Sequence, residues 1–342
     1  MEEMLITFMY LSAGLFMGWS LGANDAANIF GTAVVTRMVR FRTAAIIMTV
    51  MISLGAVVSG AGPAETLLSL GAIEHLEEAF IVSLSAAITI LIMVRRGLPV
   101  STSQAIVGAI IGWNLHSGHP IDWSLLLKIA GTWVFAPVLG AAFAMFYYVL
   151  LRRMYHHAQI HLLKMDRILR GALLLSGAFG AYSLGANNMA NVVGVFVNSV
   201  SLPDLILGRW QLMSGQQLLF FLGAAAVSVG VCTYSHRVMN TVGSQIYQLT
   251  PLSALVVVLA SATVLFLFAS QGLQTGLIAA GLPTFPLVPV SQSQAVVGAI
   301  IGIGLLKGGR NLNGRLLATI AGGWVLTPLA AMILSFFLLS FA

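Results

Sequence analysis

Two polar phrases are each written twice inside otherwise apolar sequence, and this duplication constrains the chain more than any other feature. Gly22-Ala23-Asn24-Asp25-Ala26-Ala27-Asn28 returns as Gly185-Ala186-Asn187-Asn188-Met189-Ala190-Asn191. Pro99-Val100-Ser101-Thr102-Ser103-Gln104 and its apolar tail return from Pro289 as Pro289-Val290-Ser291-Gln292-Ser293-Gln294, identical at 12 of 14 positions. That agreement is too close for two unrelated helices. Within a bilayer, interrupted polar backbone is tolerated only where it is packed in protein or lines a cavity. Two such interruptions in each half point to a substrate site between repeats of a secondary transporter.

The setting is a membrane. Of 342 residues 58% are hydrophobic and 8% charged, and the mean hydropathy is +0.96. This composition leaves no room for a sizeable soluble domain. Apolar runs predict about five crossings per half, near residues 5–36, 43–62, 79–94, 97–114 and 124–150, then 171–200, 214–234, 245–269, 287–305 and 316–341. The long first member of each set is expected to break at its Gly-Ala-Asn motif into a helix and a half-helix. The Pro-Val-Ser segments are expected to be discontinuous as well, as crossings or helical hairpins. A third matched pair, Gly131 to Pro137 and Gly322 to Pro328, closes each repeat.

The net charge of +6 orients the chain rather than binding nucleic acid. Fourteen of the 16 Lys and Arg residues fall in five connections, while Glu2, Glu3, Glu65, Glu74, Glu77, Glu78, Asp122 and Asp204 fall in the intervening ones. The positive-inside rule places the first set in the cytoplasm and both termini outside. An odd number of crossings per half then makes the second repeat inverted. The expected fold is an all-α polytopic membrane protein with two inverted-topology repeats and discontinuous helices at the midplane. Residues 1–151 form the first repeat, 152–170 a cytoplasmic basic linker, and 171–342 the second repeat. The stretch from Leu5 to Leu21 lacks a positive leading region and reads as a retained first helix. His157 and His161 have helical metal-pair spacing, but no carboxylate or cysteine completes a set, so they read as a solvated linker face. The sole cysteine, Cys232, excludes an intramolecular disulfide framework and reads as a small buried packing residue.

Asp25 is the single acidic residue deep within an apolar segment, which makes it a functional candidate by default. Asn24, Asn28, Asn187, Asn188 and Asn191 add amide oxygens for a hard cation and amide N–H groups for an oxyanion. Each Pro-Val-Ser phrase starts a helix: proline disfavours helix in the residue before it, and the serine that follows can cap. The freed helix N-terminus suits an anion. Ser101, Thr102, Ser103, Gln104, Ser291, Gln292, Ser293 and Gln294, with Asp25, form the expected substrate set. Asn24, Asp25, Asn28, Asn187, Asn188 and Asn191 form the expected cation set. No Lys or Arg accompanies either motif, so a divalent anion beside Asp25 needs a co-bound cation for neutrality. Sodium suits the oxygen chemistry, and protonation of Asp25 is the competing route.

These paired motifs resemble the inorganic phosphate transporter (PiT) family of sodium- and proton-coupled symporters, along essentially the whole chain. The resemblance implies an inverted-repeat helical transporter, commonly a homodimer, working by alternating access. It carries substrate and cation contacts over to Asp25, Asn28, Asn191 and the polar residues of the Pro-Val-Ser segments. The chain departs from the family pattern at Asn188, where a second aspartate is usual, at Gln104 and Gln294, where histidine is usual, and at Gln292, where threonine is usual. The expected function is phosphate import by sodium symport through the cell membrane, without a cofactor. The alternatives are a sulfate or related oxyanion permease and, from another class, an anion channel. An enzyme is not expected, because a single buried carboxylate lacks the partner that hydrolytic chemistry needs.

Overall fold

Where no water reaches, every backbone amide needs an internal partner, and helices supply it. The computed structural model describes residues 2–71, 73–157, 161–207, 209–309 and 312–341. The side chain of His157, and with it the pairing read at His157 and His161, lies outside the described residues, as do the charged groups of Glu2, Glu3, Arg237 and Arg310. In the first half, α1 (Glu2–Leu21) continues through a π-helical stretch, Gly22–Ala26, into α2 (Ala27–Val35). Next come α3 (Phe41–Ser59), α4 (Ala61–Gly71), α5 (Leu76–Arg95), α6 (Thr102–Ser117) and α7 (Trp123–His157). The second half opens with α8 (Leu162–Val193) and a small antiparallel hairpin of β1 (Leu205–Leu207) and β2 (Trp210–Met213). It continues with α9 (Gly215–Tyr234), α10 (His236–Asn240), α11 (Pro251–Leu267), α12 (Gln271–Ala279), α13 (Gln292–Leu306) and α14 (Gly314–Leu339).

Among the described residues, seven helices are long and apolar enough to cross a bilayer, or eight if α11 and α12, bent by 67°, count as one span. The stretches read as crossings at 97–114 and 287–305 hold the 16-residue α6 and the 15-residue α13. At 1.5 Å per residue these reach about 24 and 22 Å, short of the roughly 30 Å hydrocarbon layer. Each is a half-helix entered from extended chain.

Two expectations fail, and two elements are additional to those expected. The Gly-Ala-Asn motifs do not break their helices: the first sits in the π-helical stretch, whose flanking residues Leu21 and Ala27 are both right-handed, and the second lies within continuous α8. The spacing explains this. Asn24 and Asn28, like Asn187 and Asn191, are four apart, so an intact helix already aligns them on one face. A π-helical turn is a common local adjustment at functional positions. The connection carrying Glu65 is helical, as α4. Cys232 is exposed on the outer face of α9 rather than buried. The β1–β2 hairpin has no counterpart among the expected elements; its short strands leave Trp210 77% exposed.

Packing joins the halves reciprocally. α6 lies on α14 while α13 lies on α7, and α3 packs on α8 while α9 packs on α1. Glycines let the backbones meet. A Cβ at Gly108 would fall 2.2 Å from the Pro328 carbonyl oxygen, and one at Gly298 would fall 2.1 Å from that of Pro137. The same exchange occurs at the motif glycines. Gly22 faces the Val227 carbonyl at 2.0 Å from a built Cβ, and Gly185 faces that of Ile52 at 2.1 Å. The duplication in sequence is therefore matched by paired contacts between halves. Fully buried Met48, Ile52, Phe30, Phe196 and Phe220 fill the space around these crossings.

Candidate functional site

Proline dictates how each half-helix is entered. After a left-handed turn at Gly97 (φ 71°), the chain around Pro99 and Val100 is extended, and Ser101 caps α6 by accepting the Gln104 N–H at 3.2 Å. Ser291 caps α13 in the same way, accepting the Gln294 N–H at 3.3 Å. The expected serine caps are present, and each hydroxyl keeps its own O–H to donate.

Extended backbone buried in a helical bundle needs partners from outside itself. Asn24 and Asn187 provide them. The Asn24 amide donates to the Val100 carbonyl at 2.6 Å and accepts the Val100 N–H at 3.2 Å. Asn187 donates to the Val288 carbonyl at 3.0 Å and accepts the Val290 N–H at 2.7 Å. These two asparagines, read from the sequence as cation ligands, hold backbone in this structure. The peptide groups of Val100, Val288 and Val290 escaped the sequence reading, although the neighbouring Pro99 and Pro289 mark where chain must leave the helix.

The centre joins side chains from both halves. Asp25 accepts the Thr102 hydroxyl, the Ser293 hydroxyl at 2.9 Å and the Asn24 amide at 3.1 Å. Asn28 donates to the Ser293 oxygen at 2.8 Å. In the matching cluster, the Ser103 hydroxyl donates to the Asn188 amide oxygen at 3.3 Å. Asn191 donates to Ser103 at 2.9 Å and to Asn188 at 2.8 Å. Each motif thus meets the serine of the other repeat, and Thr102 and Ser293 bring the starts of α6 and α13 together on one carboxylate. All fourteen candidate residues are at most 3% exposed.

Several buried acceptors among the candidate residues have no hydrogen-bond donor: Asn28 Oδ1, Asn191 Oδ1, Gln104 Oε1, Gln292 Oε1 and Gln294 Oε1. Among the donors, Asn188 Nδ2 is in the same position. Buried acceptors without partners cost roughly 1–3 kcal/mol each. Amide oxygens around a carboxylate match the oxygen ligands that hard cations take, and hydroxyls at helix starts match an oxyanion. The centre therefore has complementary chemistry for both.

A phosphate transporter family model matches residues 21–335, which includes both pairs of motifs. The chain belongs to this family. It is 27% identical to a protein described as a phosphate permease in Methanocaldococcus jannaschii, over 98% of this chain and 95% of the relative. It is 29% identical to the sulfate permease of Bacillus subtilis, over 95% of this chain and 85% of the relative. The fold matches a solved structure, the sodium-dependent phosphate transporter, with a TM-score of 0.76 and 24% identity, over 98% of this chain and 99% of the other. Membership of the phosphate transporter family agrees with the reading as a multi-pass membrane transporter and not an enzyme.

Proposed function

We propose that this protein imports inorganic phosphate through the cell membrane by sodium symport and alternating access. The observation that carries this reading is the convergence of Thr102 and Ser293, from the starts of two half-helices, on buried Asp25. The two repeats, 1–151 and 171–342, run in opposite senses through the bilayer, with linker 152–170 in the cytoplasm and the protein working as a homodimer. Asp25, Asn28, Asn188 and Asn191 serve the cation, and the amide oxygens of Asn28 and Asn191 lack donors. Thr102, Ser103, Ser293 and the glutamines Gln104, Gln292 and Gln294 serve the anion. Asn24 and Asn187 position the extended limbs, and Ser101 and Ser291 cap the half-helices. Sodium rather than a proton is the coupling ion, in keeping with the oxygen-rich donor set and with the sodium dependence named for the structural neighbour.

Hydrogen phosphate carries a hydroxyl that needs an acceptor, whereas sulfate has none to offer. An ionised carboxylate has about four acceptor sites. Asp25 accepts three from the chain, so its fourth site is shared between the cation and that hydroxyl. The second reading, a sulfate permease, is favoured by Asn188, which leaves the centre with a single carboxylate, and by the sulfate permease among the relatives.

Labelled phosphate uptake into proteoliposomes, with and without an inward sodium gradient and with excess sulfate as competitor, tests both readings. Sodium-driven accumulation insensitive to sulfate is the expected result. No phosphate uptake, in vesicles that accumulate sulfate under a proton gradient, would establish the sulfate reading.

A further inference from the structure

The basic end of the bundle carries more cations than carboxylates. Of its ten acidic residues, Asp166 alone falls in one of the five basic connections, and it pairs with Arg170 at 2.7 Å. Arg152 and Arg153, at the end of α7, make no such pair among the described residues, and both are exposed.

These two arginines line a cavity of about 300 Å³ with Tyr148, Val149 and Leu306. The next residue, Lys307, lies outside that lining and adds a further cation against the Tyr148 ring. Its ammonium donates to the Ser253 hydroxyl at 2.8 Å and stands 5.2 Å from the centre of the Tyr148 ring and 5.9 Å from that of Tyr247. Lys307 is thereby fixed in place by neutral groups, without a carboxylate. Partial burial, and then the charge of Arg152, hold its pKa below the ordinary lysine value. The neighbourhood is short of negative charge.

The shape of the cavity completes the argument. Val149 and Leu306 are 40% and 43% exposed, so the cationic wall adjoins open apolar surface. Guanidinium groups form paired hydrogen bonds with phosphate oxygens, and tyrosine presents an amphipathic ring suited to a membrane boundary. Basic pockets between membrane helices on the cytoplasmic side hold anionic headgroups.

We propose that Arg152, Arg153, Tyr148 and Lys307 form a binding site for a phosphate-bearing anion, supplied by the headgroup of an anionic phospholipid whose chains lie along Val149 and Leu306. The site is separate from the buried centre at Asp25 and does not require that centre to transport anything.

The test is native mass spectrometry of the full chain in neutral detergent with added phosphatidylglycerol or phosphatidylcholine, alongside equilibrium binding of labelled inorganic phosphate. The variants are Arg152→Gln with Arg153→Gln, and Lys307→Gln alone. A control, Arg40→Gln with Arg42→Gln, removes the same charge from another exposed basic connection. Thermal midpoints establish that each variant is folded. The expected result is retention of phosphatidylglycerol over phosphatidylcholine, reduced at least about tenfold in the Arg152/Arg153 variant, from loss of charge-assisted hydrogen bonds, and unchanged in the control. Loss of one bound inorganic phosphate in that variant, without any lipid preference in the unmodified protein, supports the same anion site with free phosphate as its source. Equal retention of both lipids, with phosphate stoichiometry unaltered by the arginine changes, overturns the proposal.

Discussion

The two polar clusters at the centre have the same plan and different charge. One gathers Thr102 and Ser293 on Asp25; the other gathers Ser103 and Asn191 on Asn188. The carboxylate can be filled by donors from three directions, whereas the amide keeps Nδ2 without a partner. Duplication sets the geometry of both clusters, and one substitution makes them chemically unequal. The difference locates fixed negative charge in a single half of an otherwise paired site.

Removing that charge should have the largest effect. Asp25→Asn is expected to cut gradient-driven uptake by roughly two orders of magnitude, since charged hydrogen bonds contribute about 1.5–3 kcal/mol each. Proteoliposome uptake with a folded variant checks this, and undiminished uptake removes Asp25 from the mechanism. Packing should respond equally in the two halves. Gly108→Ala and Gly298→Ala each push a methyl into a proline carbonyl, 2.2 and 2.1 Å from the new carbon. Each should destabilise by about 1–3 kcal/mol or more, read as matched falls in thermal midpoint. A large loss in one variant alone would break the symmetry argument.

The backbone clamps should come next. Asn24→Ala strands the buried N–H and carbonyl of Val100, and Asn187→Ala strands those of Val290 and Val288. Expected losses are about 2–4 kcal/mol of stability in each, without a change in sodium dependence for Asn187→Ala, whose amide does not touch Asp25. A selective shift in apparent sodium affinity in Asn187→Ala would give that asparagine a direct part in cation binding. Asn188→Asp sharpens the comparison by equalising the clusters. It should tighten apparent sodium affinity by about tenfold, equivalent to ~1.4 kcal/mol, in uptake assays across sodium concentrations.

The smallest effect lies in the closing helices. Trp324 donates to the Pro99 carbonyl at 3.3 Å, while the matching Trp133 nitrogen is buried without an acceptor. Trp324→Phe should cost about 1 kcal/mol in unfolding experiments, and Trp133→Phe close to nothing.

Much of this centre is legible in the residues themselves. Proline followed by serine marks an extended entry and a capped helix, and repetition identifies which polar groups belong together. What sequence reading misses depends on contacts between distant segments. Asp25 and Ser293 are 268 residues apart, and Asn187 and Val290 are 103 apart. Without those partners in view, a polar cluster in an apolar run reads as a helix break. With them, the helix stays intact and its polar face is satisfied from across the bundle. The bend between α11 and α12 and the β1–β2 hairpin carry no comparable repeated signal. The second half inserts them without counterparts in the first.

The reciprocal pairing of half-helices also imposes an order on biogenesis. α6 receives the Pro328 carbonyl at Gly108 only after another 220 residues (328 − 108) have been added. At about 5–20 residues per second, ribosomal elongation needs roughly ten to forty seconds to supply them. During that interval the glycine face of α6 lacks its native neighbour.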